Sequence, residues 1–211
     1  MFKGKRILVL APHTDDGELG CGGSIAKFVE SGSEVYYAAF STADDSVPPE
    51  FPRNQLEIEV REATRILGIP PGHLIVFNYQ VRKLNYVRQE VLEEMVQINQ
   101  RLQPDLVFLP SSKDIHQDHI TITREGIRAF KYCSILGYEL IWNNLSFSTD
   151  CFIEITRLHL DKKVAALKAY VTQQEKSYMQ PAFIESLARV RGGQVGVDFA
   201  ETFEVIRWLI R

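Results

Sequence analysis

Three of the five histidines stand among aspartates in two short stretches, His13 in HTDDGELGCGG and His116 and His119 in KDIHQDH. Imidazole nitrogens and carboxylate oxygens gathered in one place are metal donors or the acid–base groups of a hydrolase. His13 and Asp16 are three residues apart where an apolar run gives way to a helix, so both can point at one spot. His119 stands just inside the next such segment. One carboxylate and two imidazoles form a three-ligand set with a fourth tetrahedral position open, the pattern of a catalytic zinc site. A dication beside Asp16 also settles an electrostatic problem, since Asp15 and Asp16 repel when both are ionised and a chain end at a sheet is partly desolvated. H-x-D-D alone reads equally well as a helix N-cap with a spare carboxylate. The second cluster, H-x-D-H, tips the balance to a metal. His73 and His159 have no acidic neighbours of note and read as surface or strand-end residues.

Strands and helices must carry these groups to one place. Lys5–Ala11 reads as a buried strand ended by Pro12, and about Gly17–Ser31 as a helix with Leu19, Ile25, Phe28 and Val29 on one side, closed by Gly32. Glu34–Ser41 is a second strand. The proline-rich Thr42–Arg53 is a long loop, of the kind that often carries function. A helix over Asn54–Leu67 follows, then a strand at His73–Asn78, a helix at Tyr86–Leu102 and a strand at Asp105–Leu109. The loop PSSKDIHQDH leads into a helix from about Ile120 to Tyr132. Strands near Tyr138–Trp142 and Cys151–Thr156, helices at Leu160–Gln174 and near Ala182–Val190, and a strand near Glu204–Leu209 complete the chain. This alternation implies an α/β domain with a mostly parallel sheet flanked by helices. Both histidine loops follow strands at their carboxyl ends, where such sheets bind ligands, so they should face one crevice. Gly20, Gly22 and Gly23 allow close helix packing. They do not form the dinucleotide fingerprint, because they fall inside the helix and the aspartates at the turn would repel a pyrophosphate.

Totals narrow the class further. The chain has 211 residues, 45% hydrophobic, with 24 Lys and Arg against 27 Asp and Glu and a net charge of -3. One domain over residues 1–211 is expected, with no basic face for nucleic acid or a membrane surface. The three cysteines, Cys21, Cys133 and Cys151, are far apart and form no C-x-x-C, so neither a disulfide framework nor a thiolate zinc site is expected. The apolar run in the opening MFKGKRILVLAP is too short for a signal peptide, and no stretch approaches the ~20 apolar residues of a membrane span. A cytoplasmic protein is expected, and a homo-oligomer is left open.

HTDDGELGCGG resembles the H-P-D-D-E-x-x-x-G-G signature of the LmbE-like, or PIG-L, zinc-dependent de-N-acetylases, and HQDH resembles their H-x-D-H signature. RGGQVGVDFAETF, Arg191–Phe203, is similar to their C-terminal R-G-x-x-x-G-x-x-x-A-E-x-F. The resemblance spans nearly the whole chain in the right order. It implies a Rossmann-like fold without a dinucleotide, and hydrolysis of the acetamide of a GlcNAc-type sugar conjugate. Carried over by position, it implies one zinc per chain on His13, Asp16 and His119, with iron(II) accepted by the same ligands in cells. It makes Asp15 the general base, His116 the group that meets the oxyanion and protonates the leaving amine, and Asp118 the acid that orients its histidine neighbours. Thr14 replaces the family's proline and Gly17 its glutamate, with Glu18 following. Asp114 stands where some members carry a tyrosine, so it is expected to alter substrate contacts.

Substrate identity is thinly written. Arg53, Arg82, Arg88, Arg189 and Arg191 are candidates to hold a phosphate or carboxylate on a nucleotide-linked or otherwise anionic sugar, and Tyr79 and Trp142 to stack on a sugar ring. The expected partner is thus a small N-acetylated sugar. A zinc amidase acting on another acyl or thiol-conjugate amide is the alternative within enzymes. A non-catalytic sugar- or nucleotide-binding module is the alternative outside them, disfavoured because Asp15 and all three ligands are present.

Overall fold

Alternate residues of the first apolar run bury on opposite faces of a sheet, as the two-residue period of a strand requires. Ile7, Val9 and Ala11 of β1 (Arg6–His13) join one core cluster, and Leu8 and Leu10 join the other. The computed structural model describes residues 3–210; Met1, Phe2 and Arg211, which the expected domain and the opening segment include, lie outside the described residues. The remaining strands are β2 (Glu34–Ser41), β3 (Leu74–Val76), β4 (Leu106–Pro110), β5 (Ser134–Tyr138), β6 (Cys151–Glu154) and β7 (Ala200–Arg207). They form one sheet in the order β3-β2-β1-β4-β5-β7-β6. β1 to β5 are parallel, and β7 is antiparallel to both β5 and β6. Helices α1 (Asp16–Glu30), α2 (Gln55–Leu67), α5 (Arg157–Lys168) and α6 (Pro181–Gly193) contribute to the first cluster, while α3 (Arg88–Leu102) and α4 (Gln117–Ala129) pack on the other face. This is the expected α/β fold. Among the described residues, no helix is long and apolar enough to cross a membrane.

Chain order reverses between β1 and β4, which opens a crevice at their carboxyl ends. β1 runs on through Pro12 to His13, paired with Ser41 of β2; its pairing with β4 has already stopped at Val9–Phe108, which frees one side of the strand at the proline. Helix α1 is bent at Cys21, whose φ of -147° is not helical. The N–H groups of Gly23 and Ser24 beyond the bend donate to the Glu201 carboxylate of β7 at 3.0 and 2.7 Å, and Lys163 Nζ of α5 balances that charge at 2.7 Å. A Cβ on Gly23 would sit 2.7 Å from Ile155 Cδ1 and 3.2 Å from Glu201 Oε1, so glycine leaves both side chains in place there. The first turn, with Asp16, is thereby set apart from the rest of the helix.

Several boundaries differ from expectation. The strand expected at Tyr138–Trp142 is β5, Ser134–Tyr138, and Leu140–Asn143 is a turn closed by Asn143 N–H on Leu140 O at 2.8 Å. Gly137 lies inside this strand, where a Cβ would come 3.0 Å from Ser111 Cα. Helix α4 starts at Gln117, three residues before the expected Ile120, because His116 is its N-cap. Helix α5 starts at Arg157 behind a capping box of Thr156 and His159 and ends at Lys168 rather than Gln174. β7 starts at Ala200, before the expected Glu204. His159 is not a surface residue: it is 3% exposed, with Nε2 2.5 Å from Glu30 Oε2, a partner hidden by sequence distance. His73 lies at the start of β3, stacked on Tyr36.

Candidate active site

The two histidine loops meet at the crevice. His13, at the end of β1, places Nδ1 3.1 Å from Asp16 Oδ2 and 3.3 Å from His119 Nε2. The third edge, His119 Nε2 to Asp16 Oδ2, is 3.3 Å. Asp16 does not cap its helix; its Oδ2 accepts the His13 N–H at 2.8 Å, which turns the carboxylate toward the histidines. His116 stands beside them, its ring 5.0 Å from that of His13 and 4.5 Å from that of His119. Donor atoms of His13, His116 and His119 all lie within 4.8 Å of one another.

Each inner histidine is held from behind by a carboxylate. His13 Nε2 is 3.0 Å from Asp118 Oδ2, and His119 Nδ1 is 2.7 Å from Asp114 Oδ2. Asp118 also accepts the N–H groups of Arg82 and Leu84, and Asp114 Oδ1 accepts that of His116. Such partners fix tautomers, leaving the lone pairs of His13 Nδ1 and His119 Nε2 turned inward. Asp114, expected to touch substrate, is 4% exposed and lies behind His119 instead.

Without a cation the cluster calls for positive charge. Burial opposes protonation of His13 and His119, yet the carboxylates around them, Asp16 first, raise the two to about 9 and about 10. Burial likewise opposes the charge on Asp16, and the His119 and His13 rings outweigh it and hold its carboxyl well below the usual range. Asp15 behaves differently: burial, then Asp16, pushes it up to about 6. His116 goes the other way, down to about 4, through burial and then the charges of His119 and His13.

The donor set fits a metal. Ligands about 2.0–2.1 Å from a tetrahedral zinc stand about 3.3–3.4 Å apart, close to the three edges given above. Two neutral imidazoles and one carboxylate suit zinc better than magnesium or calcium.

The cleft above the cluster measures about 290 Å³ and is lined by Asp15, Asp16, His13, His116 and His119 together with Ala43, Ser46, Arg82, Trp142, Asn143, Lys176 and Tyr178 among others. The loop Thr42–Arg53 thus reaches it through Ala43 and Ser46. Of the arginines, Arg82 alone lines it. Arg53 is exposed, 3.7 Å from Asp45; Arg88 is paired with buried Glu125, and Arg189 with Glu185. Arg191 is paired with Glu139 and lines a separate cavity of about 30 Å³. Trp142 stacks on Tyr178 at 3.9 Å between centroids, while Tyr79 packs near Phe77, away from the cleft lining. Lys176 and Tyr178 escaped the reading from sequence because they lie between α5 and α6, Tyr178 in a short 3-10 turn and Lys176 just before it, where no periodicity marks them.

The chain is similar to known proteins. The family described as PIG-L, GlcNAc-PI de-N-acetylase, matches residues 8–130. The chain is 29% identical over 174 residues to the uncharacterized deacetylase YaiS of Escherichia coli (strain K12), covering 80% of this chain and 91% of that protein. It is 32% identical over 143 residues to the diacetylchitobiose deacetylase of Thermococcus kodakarensis, covering 64% of this chain and 52% of that protein. Among solved structures, GalB, the 4-carboxy-2-hydroxymuconate hydratase from Pseudomonas putida KT2440, superimposes with a TM-score of 0.80 at 19% identity, covering 98% of each chain. A fold shared with a hydratase does not assign a reaction by itself. The family match and the residues in the cleft must do that.

Proposed function

The chain belongs to the PIG-L (GlcNAc-PI de-N-acetylase) family, and on that footing we propose that it is a zinc-dependent hydrolase removing the acetyl group from an N-acetylated amino sugar, a GlcNAc-type conjugate. The observation that carries the reading is the triangle of His13 Nδ1, Asp16 Oδ2 and His119 Nε2, with edges of 3.1–3.3 Å, beside an Asp15 that makes no helix cap. We take the family's domain to extend beyond residue 130, because Glu201 of β7 holds the bend of α1.

His13, Asp16 and His119 would hold the ion. Bound there, zinc supplies Lewis acidity, polarising an amide carbonyl and lowering the pKa of water from 15.7 to roughly 7. Asp15 faces the same cleft and takes the proton that the attacking water gives up. A carboxyl pushed up to about 6 by burial and Asp16 can hold that proton and pass it to the departing amine. His116 Nδ1 accepts the Asp118 N–H at 3.2 Å, so Nε2 carries the hydrogen. That N–H is a neutral donor to the developing oxyanion, a role that contributes about 3 kcal/mol in other hydrolases. The amine's proton is assigned to Asp15, the group that took it from the water, with His116 left as the oxyanion donor. Asp118 and Asp114 orient His13 and His119.

Metal content and acetate release across a panel of N-acetylated sugars test the proposal together. One zinc per chain is expected, with activity lost on chelation and regained on adding zinc. A metal-free protein that still released acetate would sink it. Zinc-loaded protein inert toward every N-acetylated sugar but active on another amide would favour the amidase alternative.

A further inference from the structure

Against the turn that carries the two aspartates lies a pair of buried hydroxyls with no part in the chemistry above. Tyr37 comes from the middle of β2 and Tyr170 from just beyond the end of α5, and both are fully buried. Their hydroxyls meet one acceptor, the Thr14 carbonyl oxygen, at 2.9 and 2.7 Å. Glu18 spans the pair, with Oε1 3.0 Å from the Tyr170 hydroxyl and Oε2 against that of Tyr37. The Gly17 N–H donates to the Tyr37 hydroxyl at 3.0 Å.

A peptide unit is planar, so holding the Thr14 oxygen also fixes the plane that runs on to the Asp15 N and Cα. The Gly17 N–H belongs to the peptide that leaves Asp16. Tyr37 thus bonds the peptide entering Asp15 and the one leaving Asp16, and only the two aspartates stand between. They do not depend on this equally. The Asp16 carboxylate has anchors of its own in the His13 N–H and the inward nitrogens of His13 and His119. Asp15 caps no helix, and the backbone that carries it sets its place in the cleft. Glycine at position 17 belongs to the same device. A Cβ there would lie 2.5 Å from Tyr37 Cε2 and 2.6 Å from its hydroxyl oxygen, so a side chain would push the hydroxyl off the turn.

Resting on the de-N-acetylase reading, we propose that Tyr37 and Tyr170 are positioning residues for the general base: their hydroxyls hold the Thr14–Asp15 peptide so that the Asp15 carboxylate stays turned to the cleft. Neither tyrosine lines the cleft, so both act through Asp15 and touch neither metal nor substrate.

The test removes the hydroxyls and keeps the rings. On the zinc-loaded full chain, with the N-acetylated sugar turned over fastest in the panel, Tyr170→Phe and Tyr37→Phe should each lower kcat by about ten- to a hundredfold, the scale of a misplaced catalytic group, while KM and zinc affinity stay within about twofold. Gly17→Ala should act in the same direction as Tyr37→Phe. In an Asp15→Asn background the tyrosine changes should lower kcat by less than about twofold, because the group they position is gone. Hydroxyls that only stabilise the core would cost the same factor in both backgrounds. Amide exchange gives a readout without turnover. Leu19 N–H donates to the Asp15 carbonyl at 3.0 Å, and Tyr170→Phe should speed its exchange while leaving that of Val107 in β4 unchanged. Equal losses in both backgrounds, loss of zinc from the tyrosine variants, or wild-type kcat in both of them would overturn the positioning role. No acetate from any sugar, or near wild-type turnover in Asp15→Asn, would instead overturn the reading on which the role rests, and the Leu19 exchange would still decide whether the hydroxyls hold the turn.

Discussion

Asp114 Oδ2 lies 2.7 Å behind His119 Nδ1, as Asp118 Oδ2 lies 3.0 Å behind His13 Nε2. The two histidines are thus held through opposite ring nitrogens and present opposite nitrogens to one point. A carboxylate behind an imidazole raises its basicity as a ligand and fixes its orientation.

Asp114→Asn should therefore weaken zinc retention by about 10–100-fold, the usual effect of losing such a partner, with little change in KM. Competition with a chelator measures the first and steady-state kinetics the second. A tenfold rise in KM at unchanged zinc affinity would restore Asp114 to the substrate-contact role its sequence position suggested.

His116→Ala and His119→Ala should separate. His116 is the cap of α4 and faces the cleft with one ring nitrogen already occupied by the Asp118 N–H, so its loss should lower kcat with zinc retained. His119 closes the donor triangle, and its loss should empty the site. Elemental analysis beside acetate release checks both. An emptied site in His116→Ala with zinc kept in His119→Ala would invert the assignment.

Much of this architecture is legible in the sequence because the signals are local. The alternation of Ile7 to Ala11 gives a buried strand, and the three-residue spacing of His13 and Asp16 spans the strand-to-helix junction where both side chains can face one spot. What stayed hidden is non-local or irregular. Nothing near Asp114 reveals that it faces His119 rather than substrate, since that depends on the turn before α4. Glu201 falls in the stretch Arg191–Phe203 that matches a signature without revealing its role, because its partners Gly23, Ser24 and Lys163 are 178, 177 and 38 residues away. Lys176 and Tyr178 sit in a stretch without period, and only tertiary packing brings them to the cleft.

Glu201→Gln should cost folding stability rather than binding. Glu201 and Lys163 are both about nine-tenths buried or more, and removing one partner of such a pair leaves the other charge uncompensated, at about 3–5 kcal/mol. Urea unfolding should show that loss, and adding Lys163→Met should recover part of it. An unchanged unfolding midpoint with a raised KM would mean that Glu201 contacts the ligand.

Stability should also carry a pH signature from Glu18. This carboxyl is fully buried; Oε1 accepts the Tyr170 hydroxyl at 3.0 Å, Oε2 meets Tyr37, and both hydroxyls reach the Thr14 carbonyl. Burial above all pushes it from 4.5 up to about 8. The folded state keeps the proton where the unfolded chain has lost it, so this contribution is full below about 4.5 and lost as pH rises through about 8. Glu18→Gln, which cannot ionise, should flatten that part of the decline, read as unfolding free energy across the window. Parallel slopes in the two proteins would show that Glu18 is ionised throughout.

The adjacent aspartates give the sharpest separation, because identical chemistry is placed in two different surroundings. Asp16 Oδ2 lies within 3.3 Å of both inward-facing imidazole nitrogens and accepts the His13 N–H as well. Asp15, one residue earlier and rotated by about 100° on a helical turn, occupies the N-cap position without capping and lines the cleft. An amide in place of a ligand carboxylate weakens zinc binding, whereas an amide in place of a base leaves coordination intact and removes the proton acceptor. Asp16→Asn should lose zinc and turnover together. Asp15→Asn should keep zinc and lose turnover by about 10²–10⁴-fold, the range attributed to general acid–base groups. Zinc analysis and acetate release on both variants in one buffer provide the check. Near wild-type turnover in Asp15→Asn would remove the base from the mechanism, and with it the assignment of the amine's proton.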